Sequence, residues 1–344
     1  MIEITLLYSY YHIFYLFVIC LIYFSQREYN VYSDKSFLTQ YHNKRNEEKN
    51  MKKLEGKVAL ITGAAMGLGE GIAEVYAKYG AKICMVDMSQ KVEETAQRIR
   101  ETYNADIITC VANVANKAQM IEAAKKTYDT FGSLDIACAN AGICRLAPFE
   151  TFPDEDRDAS IDVNIKGAWN TCQAVIPYML KEGKGAIVIA SSVTGDIVAD
   201  PGEAAYAMTK AALVGLTKCL AVEYATRNIR VNCSQLGYAR TPMVEKMAVE
   251  SNPENPEQAI QDIAVNVPIK RLAKPTEVGE LFAFLGSDEA SYITGEQIVI
   301  DGAATLPETM LMYGKEASNR KQEIDRQHYT IPNQRPKDKH CGKI

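Results

Sequence analysis

Tyr206 and Lys210 stand four residues apart in the helical pattern 204–222, so both side chains leave the same helix face. A phenol, whose ordinary pKa is about 10, is a poor base at neutral pH. An ammonium one helical turn away stabilises the phenolate and lowers that value, which makes the pair a candidate for proton transfer. The spacing alone means little, because with 19 tyrosines in the chain a Tyr-x-x-x-Lys is expected by chance. Its weight comes from Ser192, at the end of an apolar strand-like run, and Asn164, inside the preceding long helical pattern, each on an element that should end or pass beside one crevice. The four histidines, His12, His42, His328 and His340, leave residues 51–327 with none. A Ser-His-Asp triad is thereby excluded, and no metal site is expected.

A second motif supplies a binding site. Residues Thr62-Gly63-Ala64-Ala65-Met66-Gly67-Leu68-Gly69 form a glycine-rich turn between the apolar run 58–61 and the helix-like stretch 69–79. Such a turn aims free backbone N–H groups and a positive helix end at an anion, and side chains larger than glycine would block close approach. Gly63, Met66, Gly67, Leu68 and Gly69 are therefore candidate contacts to a dinucleotide. Asp87 ends the next apolar run, at the distance where a carboxylate accepts hydrogen bonds from ribose hydroxyls. The same charge repels a 2′-phosphate. Met66 precedes the second glycine, Met88 follows the acid, and the nearest downstream cation is Lys91. NAD is expected rather than NADP. The competing reading, a helix-starting Asp followed by a Ser89 cap, needs no ligand.

The elements that must position these residues follow from periodicity. Apolar β-branched runs at 57–62, 82–87, 106–111, 134–139, 186–191, 229–233 and 297–301 alternate with helical patterns near 67–79, 90–103, 117–131, 155–181, 204–227 and 276–286. That alternation predicts an α/β fold, a single doubly wound (Rossmann-type) domain with a seven-stranded parallel sheet and helices on both faces. Ser89 and Asn116 are predicted caps, and Pro275 suits a first helical turn. Residues 240–270, punctuated by Ser251-Asn252-Pro253-Glu254-Asn255-Pro256, read as a loop able to close over a substrate.

With these motifs in order, residues 54 to about 306 resemble the short-chain dehydrogenase/reductase family. The matches are Thr62-Gly63-x-x-x-Gly67-x-Gly69, Asn140-Ala141-Gly142, Asn164, Ser191-Ser192, Tyr206-x-x-x-Lys210 and Gly237-x-x-x-Thr241. The resemblance implies an NAD(P)-dependent oxidoreductase that interconverts a secondary alcohol and a ketone. Tyr206 would exchange the substrate proton, Lys210 hold the nicotinamide ribose, Ser192 bind the reacting oxygen, and Asn164 anchor a water relay. It further implies cofactor contacts at Asn113, Val114, Asn140, Ala141, Gly142, Gly237 and Thr241, and a homotetramer or homodimer built through helices 155–181 and 204–227. Three positions depart from the family pattern. Ala139 stands where Asn is usual, Asn113 where an Asp faces the adenine amino group, and Leu236 where Pro fixes the turn below the nicotinamide. Leu236 leads to an expectation of weaker cofactor ordering, and it motivates the rival reading, a dinucleotide-binding regulator or scaffold with idle catalytic residues.

Composition bounds the rest. A net charge of −5 without a basic stripe argues against a nucleic-acid partner, and nine unpatterned cysteines suit a reducing, cytoplasmic compartment. Residues 1–50 differ from the remainder, and 6–24 are apolar enough to span a bilayer. Two readings stand there: a membrane anchor that keeps the catalytic domain in the cytoplasm, or an upstream stretch ahead of a domain that starts at Met51. The domain is assigned to 51–311, with 312–344 a polar, disordered tail. For the substrate, Arg145 favours an anionic group, whereas Asp196, Asp200 and Glu203 favour a neutral, hydroxyl-rich one.

Overall fold

A computed structural model gives the fold of residues 52–307. The anchor expected at 6–24 and the tail expected at 312–344 lie outside the described residues. Seven strands, β1 (Val58–Thr62), β2 (Lys82–Asp87), β3 (Ile107–Val111), β4 (Ile136–Ala139), β5 (Gly185–Ser192), β6 (Ile229–Leu236) and β7 (Gln297–Ile300), form one parallel sheet in the order β3-β2-β1-β4-β5-β6-β7. The doubly wound architecture read from the sequence is the one observed. The chain works outward from β1 to β3, then returns to lay β4 against the other side of β1. The loops leaving β1 and β4 therefore diverge at the carboxyl edge and open a crevice between them.

Parallel strands covered on both faces must be apolar throughout, and β1 is buried at all five positions. Alternate residues feed two cores. Ala59, Ile61, Ile83, Met85 and Ile136 pack beneath α1 (Gly67–Lys78) and α9 (Pro275–Gly286). Leu60, Cys84, Val86 and Ala137 pack against α3 (Lys117–Phe131), α5 (Gly167–Glu182) and α6 (Ala204–Tyr224). Helix α2 (Lys91–Tyr103) adds Val92, Ala96 and Ile99 to the first core. Asn116 caps α3 as expected, accepting from the N–H groups of Ala118 and Gln119. Ser89 accepts only from Lys91 N at 3.3 Å, while Gln90 holds the cap position of α2.

Two segments differ from the sequence reading. The helix expected over 155–181 is broken into α4 (Asp154–Ser160), a π-helical turn (Ile161–Lys166) and α5. A π turn bonds i to i+5 and shifts the side-chain register, but over only six residues that shift is too short to be read from hydrophobic spacing. The loop expected over 240–270 contains two helices, α7 (Pro242–Ser251) and α8 (Pro256–Asn266), capped by the Thr241 and Asn255 side chains. Pro242 and Pro256 occupy first helical turns, where a missing N–H costs nothing, so prolines that read as punctuation are helix starts.

Helices α1 and α9 touch backbone to backbone. A Cβ at Gly279 would lie 2.7 Å from the Gly71 carbonyl oxygen, and Tyr76, fully buried, donates its hydroxyl to the Phe282 carbonyl at 2.9 Å. Gly279→Val is expected to lower stability by about 1–3 kcal/mol through overpacking, read as a fall in the urea unfolding midpoint. An unchanged midpoint would show that the two helices can separate without cost.

Candidate functional site

The crevice floor is a turn locked from both sides. The Thr62 hydroxyl, at the end of β1, donates to the Cys138 carbonyl at 3.3 Å and accepts from the N–H groups of Asn140 and Ala141 at 3.0 and 3.2 Å. Asn140 donates its side-chain amide to the Thr62 carbonyl at 2.9 Å, while its Oδ1 is buried without a partner. Ala139 is simply the last buried residue of β4, so the turn keeps its form without a second side-chain amide.

The glycine motif has the shape of an anion cradle. Gly63 takes φ +67°, and a Cβ on Gly69 would lie 2.0 Å from the Gly63 carbonyl oxygen, so the turn closes only without side chains. No side chain caps the start of α1 at Met66, which leaves its first N–H groups for a ligand. Leu68 packs against the apolar core, and Met66 and Met88 are exposed. Asp87 is held by backbone: Oδ2 accepts from Ala65 N at 3.0 Å and Oδ1 from Ser89 N at 2.9 Å. Its carboxylate thus spans the glycine turn and the start of α2, with lone pairs left over. The Asn113 side-chain oxygen accepts from Ala115 N at 2.9 Å, so its own turn already uses the atom expected to meet an adenine amino group. Val114 is buried beside Gly167.

The proton-handling residues meet on the other wall. Asn164 lies in the π-helical turn, almost wholly buried; its Oδ1 accepts from Ile143 N at 2.8 Å and its Nδ2 donates to the Ile143 carbonyl and the Thr209 hydroxyl, each at 2.9 Å. A Cβ at Gly142 would lie 3.3 Å from Asn164 Oδ1 and 3.4 Å from Lys210 Nζ, which places the turn after β4, the π turn and α6 at one point. Lys210 is buried and donates to the Ala190 carbonyl at 2.7 Å, with its ammonium 5.6 Å from the centre of the Tyr206 ring. The Ser191 hydroxyl donates to the Lys210 carbonyl at 2.8 Å and binds β5 to α6. Ser192 Oγ donates to the Leu236 carbonyl at 3.3 Å and accepts from Thr194 N at 3.1 Å.

The sequence reading anticipates a phenol pulled down jointly by Lys210 and a positive nicotinamide ring, and against that pull the chain's own groups act in the opposite direction. Burial pushes Tyr206 well above its ordinary value; the hydrogen bond with Ser192 opposes this, and the charges of Cys144 and Glu203 add to it. Burial also pushes Lys210 down to about 8, so the ammonium is only partly retained above neutral pH.

Leu236 is the last residue of β6, paired with Ser192 on one side and Ile300 on the other, and Gly237 N donates to the Ile300 carbonyl at 3.0 Å. Strand pairing on both sides restrains the backbone that a proline ring would otherwise fix. Thr241 lies against the glycine turn, 3.5 Å from where a Gly67 Cβ would stand, and its hydroxyl accepts from Val244 N at 3.4 Å. Among the anticipated substrate groups, Arg145 is paired with Asp156 at 3.4 Å. Thr62, Thr209, Cys144 and Tyr238 complete the site. Thr62 stands in the glycine motif, but its role as a backbone tie, like the presence of Thr209 beside Asn164, has no spacing signature in the sequence. No group of three or more metal-ligating side chains occurs among the described residues.

Residues 63–305 match the family model described as enoyl-(acyl carrier protein) reductase. The chain is 53% identical over 260 residues to oxidoreductase UcpA of Escherichia coli strain K12, covering 76% of this chain and 98% of the relative. L-Sorbose reductase from Gluconobacter frateurii, solved with NADPH and L-sorbose, superposes with a TM-score of 0.71 at 31% identity, covering 75% of this chain and 99% of the other. An NAD+-bound xylitol dehydrogenase gives a TM-score of 0.68 at 30% identity, covering 73% and 100%.

The depressed Lys210 value has a direct readout. One side-chain ammonium resonance, titrating near pH 8 and missing from Lys210→Met, is expected in a 15N-lysine NMR titration. A set of lysines that all titrate near 10.5 would contradict the burial of this one.

Proposed function

The chain belongs to the short-chain dehydrogenase/reductase family, and from that membership we propose that it is an NAD-dependent oxidoreductase interconverting a secondary alcohol and a ketone, with Tyr206 as general acid/base. The observation that carries the reading is the convergence of Asn164, Lys210, Tyr206 and Ser192 beside a glycine cradle at the switch point of the sheet. When bound, the nicotinamide supplies the hydride carrier. Everything else comes from the chain. Gly63, Met66, Gly67, Leu68 and Gly69 would receive the pyrophosphate, and the orphaned Asn140 Oδ1 would offer an acceptor to a ribose hydroxyl, with Ala141 and Gly142 lining the same turn. Asn113, Val114 and Met88 border the adenosine end, and Gly237 and Thr241 the nicotinamide end.

Tyr206, kept protonated by burial, is suited to donate its proton to a carbonyl oxygen as hydride arrives, while Ser192 orients that oxygen. Lys210 Nζ, fixed by the Ala190 carbonyl, steadies the phenolate left behind, and Asn164 joins the Lys210 region to the Ile143 backbone. Reprotonation through a water bound there regenerates the phenol.

For the cofactor, solved neighbours carry NADPH and NAD+, so the choice rests on Asp87. No ion pair reaches its carboxylate among the described residues, and Arg98, on the same helix as Lys91, is engaged by Glu70 and Glu74. NAD is favoured because nothing neutralises Asp87 against a 2′-phosphate. The rival reading as an idle scaffold draws on Leu236 and on the unusual termini; strand pairing on both sides of Leu236 weakens the first ground, and the termini lie outside the described residues. We further assign a homotetramer or homodimer through α5 and α6, where Trp169 is 54% and Val222 82% exposed, and a cytoplasmic location, in keeping with seven free cysteines among the described residues.

Tyr206→Phe is expected to lower turnover of secondary alcohols or ketones by at least about 10²-fold while NADH binding, followed by fluorescence, persists. Retained turnover would remove Tyr206 from its role. Asp87→Ser is expected to shrink the ratio of kcat/KM with NAD over NADP by about tenfold, and an unchanged ratio would mean that another residue sets the preference.

A further inference from the structure

The charged side chains around the mouth of the crevice are not equivalent. Arg145 is occupied by Asp156, and Asp196 Oδ2 accepts from Gln235 Nε2 at 2.7 Å. Asp200 Oδ2 accepts from the Tyr238 hydroxyl at 3.4 Å. Glu203, half-buried, differs: its enclosed Oε2 has no hydrogen-bond partner within range, and Thr194 is the one group that favours its charged form. An orphaned buried acceptor is costly, and native proteins rarely leave one without a use. Glu203 also declines the structural use its position offers. It is the N-cap of α6, yet its side chain makes no capping hydrogen bond.

Its surroundings are those of a substrate wall. Glu203 lies one helical turn before Tyr206, and its charge acts on Tyr206, Cys144 and Tyr238. The backbone on either side is tied together, because Ala147 N donates to the Gly202 carbonyl at 3.2 Å. Segments 144–147 and 200–203 are thus held together, and one residue from each side, Cys144 and Glu203, acts on the phenol.

We propose that Glu203 accepts a hydrogen bond from a second hydroxyl of the substrate, so that the enzyme selects neutral alcohols and ketones bearing a hydroxyl on the carbon beside the reacting one. This rests on the assignment of Tyr206 to the proton-transfer step. Burial raises the Glu203 carboxyl, with the charge of Asp200 adding and a hydrogen bond from Thr194 opposing. A group pushed toward its neutral form suits a hydroxyl better than a cation.

The test compares wild-type protein, Glu203→Gln and Glu203→Ala on 2,3-butanediol against 2-butanol with NAD, and on 3-hydroxy-2-butanone against 2-butanone with NADH. In the wild type the hydroxylated partner is expected to have the higher kcat/KM by about tenfold or more, and the ratio is expected to fall about tenfold in both variants. An unchanged ratio, an equal loss on both partners, or a stronger preference for 3-amino-2-butanol would overturn the proposal. Binding is read separately, by quenching of bound NADH fluorescence with 3-hydroxy-2-butanone. Affinity about tenfold weaker in Glu203→Ala supports the assignment, and equal affinity overturns it, whatever Tyr206→Phe shows about the chemical step.

Discussion

One hydroxyl holds the crevice in register. Thr62 ends β1, and its Oγ binds three backbone groups of the neighbouring strand β4 and its turn. The two loops that part at the switch point are thereby fixed relative to each other at their roots. The glycine turn, the Asn140 turn and Gly142 all inherit their positions from that tie, and through Gly142 so do Asn164 and Lys210. A buried hydroxyl with donor and acceptor both satisfied is a small group, but losing it would strand the Ala141 N–H and leave the Asn140 N–H and the Cys138 carbonyl only their bond to each other at 3.0 Å.

The half-buried Tyr206 and the buried Lys210 are subject to opposite demands. Desolvation favours the neutral form of each, raising the phenol and lowering the ammonium. The chain alone therefore holds a proton donor ready and a cation in reserve. Charge from outside the chain is what shifts the pair toward phenolate, which makes proton transfer conditional on the site being filled.

Much of this was legible in the sequence. The doubly wound class followed from the alternation of strand and helix patterns, and continuous apolar runs such as Val58–Thr62 fit strands covered on both faces. The residues around the crevice were identifiable because their spacing binds them to neighbouring elements: Tyr206 to Lys210 by one helical turn, Gly63 to Gly69 by one loop. What was illegible has two causes. Cooperative effects of burial have no sequence signature, so the direction of the Tyr206 shift could not be read from a nearby lysine. Irregular helical geometry was also hidden, as with the π turn carrying Asn164 and the helices beginning at Pro242 and Pro256, because residue types that break one element also start another.

The pair α7 and α8 leaves and rejoins the body at a single spot, where Ala239 bridges Ala273 and the Arg240 and Ala273 N–H groups bond across. Arg240 also contacts Glu245 on α7 and Glu257 on α8, at 3.4 and 2.9 Å. Thr241, at the inner end of this helical hairpin, lies against the glycine turn at Gly67, so the hairpin and the cradle share one boundary. A side chain added at Gly67 would therefore press on the start of α7 as well as on the cradle, because Pro242 Cδ stands 3.3 Å from that Cβ position.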